Sequence, residues 1–149
     1  HNNQISRLTK SPKLHFLDSG LLASVLGVTM DGIRSDRNVF GHLLESFVFG
    51  ELLKQVGWMQ ARGISIHHFR TTTRTQEEVD FVLEDNRGGI VGIEVKASAT
   101  VLSEDFRGMR KLSEVTKGRF IAGILIYDGD KVVPFGSNMF AVPVSHLWN

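Results

Sequence analysis

The sequence predicts a mixed α/β domain, and three observations carry that prediction. Segment 39–56 places Phe40, Leu43, Leu44, Phe47, Val48, Leu52 and Val56 at three- and four-residue steps, the period of a helix with one buried face. Segments 78–84 (EVDFVLE) and 90–96 (IVGIEVK) change to a period of two on either side of the turn sequence Asn86-Arg87-Gly88-Gly89, which predicts a β-hairpin. Segment 119–127 (RFIAGILIY) is a nearly continuous apolar run that follows a predicted surface helix over 103–116. That pattern belongs to a strand buried on both faces and reached by a parallel crossover in a mixed sheet.

The remaining elements follow in chain order. Residues 5–13 are basic and polar, and Pro12 breaks any helix there. Leu14 to Leu17 reads as a short strand or an extended lead-in. Asp18 or Ser19 can cap a short helix over Gly20–Leu26 that Gly27 closes. Residues 29–38 are polar and read as a loop; Gly57 is the expected stop of the long helix. Ile64–Phe69 reads as a strand and 71–76 as a polar connection. The helix over 103–116 can be capped by Ser103, carries Glu104 and Asp105 in its first turn, and presents Phe106, Met109, Leu112 and Val115 as its apolar stripe. Asp128-Gly129-Asp130 is a turn, after which Lys131–Phe135 and Met139–Val144 read as short strands at an edge.

Composition narrows the functional classes. A length of 149 residues with 42% hydrophobic and 22% charged residues suits a single globular domain. The 17 basic and 16 acidic residues nearly cancel, so any contact with nucleic acid must rest on a local patch. The absence of cysteine excludes disulfides, iron–sulfur clusters and Cys-ligated zinc, and is compatible with the expected cytoplasmic setting. No apolar run approaches the ~18 residues of a membrane span, so no membrane partner is expected. The chain opens on His1 in a polar, aperiodic stretch. It is therefore expected to be the C-terminal domain of a longer protein, with 1–38 an N-terminal extension of linker and short helix and 39–149 the domain proper.

The hairpin carries the candidate chemistry. A turn centred near Arg87-Gly88 places Asp80 opposite Glu94, within one residue. Alternation then turns Glu78, Asp80, Glu94 and Lys96 to one face, and Val79, Phe81, Leu83, Ile93 and Val95 to the core. Two carboxylates opposed across a ladder lie ~5 Å apart at Cβ and repel. A divalent cation with hard oxygen ligands, Mg²⁺ or Mn²⁺, would offset that cost, and so would Lys96. A lysine beside such a cation can orient a water or stabilise charge developing on a phosphate. The ordinary alternative is a solvated sheet face that happens to carry Glu, Asp and Lys.

The motif EVDF (Glu78–Phe81), a hairpin, then IEVK (Ile93–Lys96) resembles the D…(E)xK signature of the PD-(D/E)xK, restriction-endonuclease-like nuclease superfamily. The order of elements is similar to that superfamily's αβββαβ core. More specifically, the chain resembles the uncharacterised C-terminal domain that follows the AAA-like P-loop domain of many prokaryotic ATPases. That likeness is carried by Ser11–Gly27, Gly41–Lys54, His68–Thr71, EVDFVLE and Ile93–Ser98. The resemblance implies a nuclease-like domain over 39–149, Asp80 and Glu94 as metal-binding carboxylates, Lys96 as the catalytic lysine and Glu45 as a supplementary acid. It implies Mg or Mn as cofactor, nucleic acid as substrate, and an N-terminal P-loop ATPase domain of the same chain as partner, with ATP confined to that domain. Val79 stands where the superfamily usually has proline. The resemblance is one of fold, and activity has to be argued from the site.

Other residues admit two readings. Glu51 lies near the centre of the helix's apolar stripe and either reaches the site or pairs with a basic group. Arg70 and Arg74 flank a Thr-rich loop and either contact phosphates or are solvated; Glu78 is a further accessory candidate. His67 and His68 lack a partner histidine at ligand spacing and read as structural or surface residues. No GxxxxGK[ST] occurs, so this segment is not the ATPase itself. Three functions compete: a metal-dependent phosphodiesterase on DNA or RNA, a non-catalytic module that binds nucleic acid or a partner and regulates the ATPase, and a structural C-terminal domain whose acidic cluster is a relic of the fold.

Overall fold

The computed structural model describes residues 14–59, 63–71 and 75–148. The readings of 1–13 and of Arg74 lie outside the described residues. Elements run α1 (Ser19–Val25), α2 (Met30–Ser35), α3 (Arg37–Trp58), β1 (Ser65–Arg70), β2 (Glu78–Glu84), β3 (Ile90–Lys96), α4 (Arg107–Val115), β4 (Phe120–Tyr127), β5 (Val133–Pro134) and β6 (Met139–Pro143). Short 3-10 helices precede α4 (Ser103–Phe106) and follow β6 (Val144–Trp148). The six strands form one mixed sheet in the order β1-β2-β3-β4-β6-β5. The α/β class and the helix–three strands–helix–strand order are as expected. Among the described residues no helix is long and apolar enough to cross a membrane.

The hairpin has the register its turn implies, with Phe81 opposite Ile93 and Glu84 opposite Ile90. Asp85 organises the turn: its Oδ1 accepts from Arg87 N–H at 2.9 Å and Gly89 N–H at 2.8 Å. Gly88 sits at φ +84°, a backbone region that side chains disfavour. From β3 the chain crosses through α4 to β4, which pairs parallel to it, as the apolar run after a surface helix predicts.

Both faces of the sheet are covered. On one, Leu44, Val48 and Leu52 of α3 pack against Phe81, Ile93 and Ile126. On the other, Phe106, Met109 and Leu112 pack against Val79, Val82, Ile90, Leu125 and Tyr127. Val79 was expected on the same face as Phe81, and it is not. Between the β1–β2 pairs His67–Val82 and Phe69–Val79, β2 has one residue more than β1. That bulge lets Val79 and Val82 share the α4 face.

Other expectations need correction. Residues 30–35 are helical, not loop: Thr29 Oγ1 accepts from Gly32 N–H at 3.1 Å. A six-residue helix with no buried residue leaves no periodic signal. Helix α3 starts earlier, where Asp36 Oδ1 accepts from Asn38 and Val39 N–H, and runs through Gly57 to Trp58. β6 is not an edge strand. It lies between β4 and the two-residue edge strand β5, parallel to β4. β4 is buried on both faces only in its second half, since Ile121 is 57% exposed while Leu125, Ile126 and Tyr127 are buried.

Helix α4 approaches the sheet closely at Gly108. A Cβ there would stand 1.9 Å from the carbonyl oxygen of Glu78. Gly108→Ala is therefore expected to lower stability by about 1–3 kcal/mol, since the neighbour is main chain and cannot rotate away. Calorimetry should read this as a Tm loss of several degrees; an unchanged Tm would mean that α4 does not lie this close.

Candidate functional site

Parallel pairing with β4 determines where the β3 side chains point. Glu94 lies beside Leu125 and Lys96 beside Tyr127, and both partners belong to the α4-side core. Glu94 and Lys96 therefore emerge on the α4 face, at the end of β3 that the helix leaves open. β2 reaches the same place through its bulge. Beyond the Phe81–Ile93 pair, Asp80 Oδ2 accepts from the main-chain N–H of Val95 at 3.0 Å, which ties the carboxyl group to β3.

Asp80, Glu94 and Lys96 line one cavity of about 460 Å³, together with Glu78, Glu77 and Gln76 from β2 and its approach. Glu104, Asp105, Arg107 and Gly108 close it from the α4 side. Six carboxylates thus face two cations, Lys96 and Arg107, and the cavity is strongly acidic in a nearly neutral chain.

Hydrogen bonds orient several of these groups. Lys96 Nζ is paired with Asp105 Oδ2 in a contact 20–30% exposed. The same oxygen accepts from Leu102 N–H at 2.7 Å, so Asp105 joins the start of the 3-10 helix to the lysine. Glu78 pairs with Arg70, and its Oε2 lies 3.8 Å from His68 Nε2. His68 Nδ1 lies 3.4 Å from the carbonyl oxygen of Asp80.

The sequence-predicted residues therefore separate into two groups. Asp80, Glu94, Lys96 and Glu78 converge on the cavity, and Arg70 reaches it through Glu78. Glu45 does not line the cavity. It projects from α3, the helix of the opposite face, and its Oε1 lies 3.8 Å from His15 Nε2. Glu51 pairs with Lys54 and accepts from Trp148 Nε1 at 3.2 Å, the second of its two readings. Asp105, Glu77, Glu104 and Arg107 are site residues the sequence reading missed. Asp105 was visible only as an acid in a helix's first turn, and its partnership with Lys96 depends on how α4 is placed.

The donor set sets the terms for a cation. Asp80 and Glu94 supply two hard carboxylates of the kind Mg²⁺ and Mn²⁺ take. Among the described residues, no group of three or more His, Asp or Glu is placed to hold a metal ion. The residues present thus fit a cation that completes its shell with water and phosphate oxygens, and do not fit one caged by protein alone.

A family model described as "Domain of unknown function (DUF4143)" matches residues 40–147. A search of the curated proteins finds no match. Among solved structures, the chain is similar to one in the refined half-complex from the tetradecameric assembly of Thermococcus gammatolerans McrB AAA+ hexamers with bound McrC. The TM-score is 0.49 and the identity 11% over 69% of this chain, which spans 27% of the length of that one.

Stability measurements separate anchored from peripheral groups. Asp80→Ala strands the Val95 N–H and is expected to cost about 1–3 kcal/mol in urea unfolding, while Asp80→Asn keeps an acceptor and costs less. Arg70→Ala removes only a half-exposed ion pair and is expected to cost under about 1 kcal/mol. Equal losses for Asp80→Ala and Arg70→Ala would count against the Asp80–Val95 tie.

Proposed function

This chain belongs to the DUF4143 family, and on that premise we propose that its acidic cavity is a divalent-metal-dependent phosphodiesterase site acting on nucleic acid. One observation carries the reading: Asp80, Glu94 and Lys96, predicted from the hairpin pattern, line a single open cavity in which carboxylates outnumber cations.

The charge balance supports it. A phosphodiester would be repelled by six carboxylates unless a cation were bound first. Asp80, held through Oδ2 on Val95 N–H, and Glu94 are the residues that would hold Mg²⁺ or Mn²⁺. The ion, when bound, neutralises phosphate charge and lowers the pKa of a bound water. The chain's own groups do the rest. Lys96 Nζ, positioned by Asp105, is available to hydrogen-bond an attacking water or a phosphate oxygen. Glu78 is oriented by Arg70 at the rim. Glu45, on the far face, has no part in this site. The resemblance to ATPase-linked domains extends the proposal to a P-loop ATPase domain as partner, where ATP would act.

Among the described residues no group of three or more His, Asp or Glu is placed to hold a metal ion, which favours a second reading, a non-catalytic module. Metal titration and cleavage assays distinguish the two. Titration calorimetry is expected to read weak Mn²⁺ binding in the wild type and none in Asp80→Asn. With labelled DNA and RNA in Mn²⁺, Lys96→Ala is expected to bind metal as wild type does and to lose cleavage by 10²-fold or more, on the order of one lost electrostatic stabiliser. If no metal binds, and wild type and Lys96→Ala behave identically on every substrate, the non-catalytic reading replaces this one.

A further inference from the structure

The acidic cavity adjoins a second cleft on the outer face of α4. That cleft is lined by Thr75, Glu77, Arg107, Arg110, Lys111 and Glu114, and it shares Glu77 and Arg107 with the cavity. Helix α4 turns Gly108, Met109 and Leu112 into the core, which leaves Arg107, Arg110 and Lys111 on the outer side. At spacings of three and four residues these cations occupy one face over slightly more than one turn, roughly 6 Å along the axis. Arg110 donates to the carbonyl oxygen of Ser103, which directs its guanidinium back toward the 3-10 helix at the cavity. Lys111 donates to Glu114 at 2.8 Å, a hydrogen bond that raises the lysine's pKa and keeps it charged. Arg107 is exposed and makes no ion pair among the described residues.

We propose that Arg107, Arg110 and Lys111 form the backbone-binding ridge of this site: they engage the phosphates of a nucleic-acid strand that flank the phosphodiester in the carboxylate cavity. The inference rests on the cavity reading above and deepens it. A cavity made of carboxylates cannot by itself attract a polyanion, and a net charge of +1 gives the whole chain no steering field. Attraction has to come from a local group of cations touching the cavity, and α4 supplies one. Each strand of a duplex carries one charge per ~3.4 Å of axis, so three cations spread over roughly 6 Å match about two consecutive phosphates. A mononucleotide or small phosphate ester would fill the cavity without reaching Arg110 or Lys111. The ridge therefore selects a polymer, and because it meets only phosphates it is indifferent to sequence.

The test is fluorescence anisotropy with labelled single-stranded DNA and single-stranded RNA 20-mers, in EDTA so that no metal is present, between 50 and 200 mM salt. The wild type is expected to bind, with affinity falling steeply as salt rises. The triple variant Arg107→Ala/Arg110→Ala/Lys111→Ala is expected to bind at least tenfold more weakly at 50 mM salt. Its log K against log salt slope should be shallower by roughly 0.7 for each phosphate contact removed. Arg34→Ala, on α2 away from this face, should leave both unchanged. If the triple variant loses its fold by circular dichroism, Arg107→Glu, at an exposed position, serves in its place. Equal loss on DNA and RNA assigns the ridge to the shared backbone; loss on one alone assigns it to that polymer. Absence of wild-type binding at 50 mM salt, or wild-type affinity and slope in the ridge variants, overturns the inference. The two readings fail separately. Ridge-dependent binding with no Mn²⁺-dependent cleavage removes the phosphodiesterase and leaves the ridge. Cleavage with a KM untouched by the ridge variants removes the ridge and leaves the phosphodiesterase.

Discussion

The contact of α4 with β2 at Gly108 is the constraint on which the site depends. With hydrogen in place of a methyl group, the helix comes down onto the Glu78 carbonyl, which stands only 1.9 Å from where a Cβ would be. At that depth Met109 and Leu112 reach the floor of the sheet at Gly92 and Gly123, both of which lack a side chain where the helix crosses. The same placement carries Asp105, two residues before Arg107, to Lys96 on β3. It also lays Glu104 and Arg107 along the cavity rim. Apolar packing therefore fixes the position of the charged groups at the site.

The bulge in β2 serves the same end. An unbroken strand would alternate strictly, and Val79 would lie with Phe81 against α3. The extra residue returns Val79 to the α4 face, where it supports Gly92 and the helix, while the Asp80 carboxyl group is tied to Val95 N–H. Bulges commonly re-aim a side chain beside a functional site. Here the bulge sits where the hairpin's ladder gives way to the cavity.

The molecule keeps its two faces chemically distinct. The α3 face carries aromatic contacts among His15, Phe49 and Phe81, and Glu45 is held there beside His15. The α4 face carries the cavity and the basic helix surface beside it. An almost neutral total charge thus conceals a strongly acidic pit next to three cations, and averaging over the whole sequence cancels the two.

Local pattern determined much of this protein from the sequence alone. The hairpin register, the buried stripe of α3, the α4 stripe of Phe106, Met109 and Leu112, and the convergence of Asp80, Glu94 and Lys96 all follow from periods of two or 3.6 and from one turn sequence. Each depends on residues close in the chain or across a tight hairpin. What the tertiary structure decided involves residues joined only by packing. Glu45 and Glu51 stand on a helix with the right period, but which sheet face that helix covers is not written in its own spacing. Asp105 looks like a first-turn acid until α4 is docked. The β2 bulge is invisible in β2 and appears only in its mismatch with β1. α2 lacks a buried face, so no periodicity announces it. The physical reason is that periodicity reports only whether a side chain is buried, and only the assembled layers determine what each element packs against.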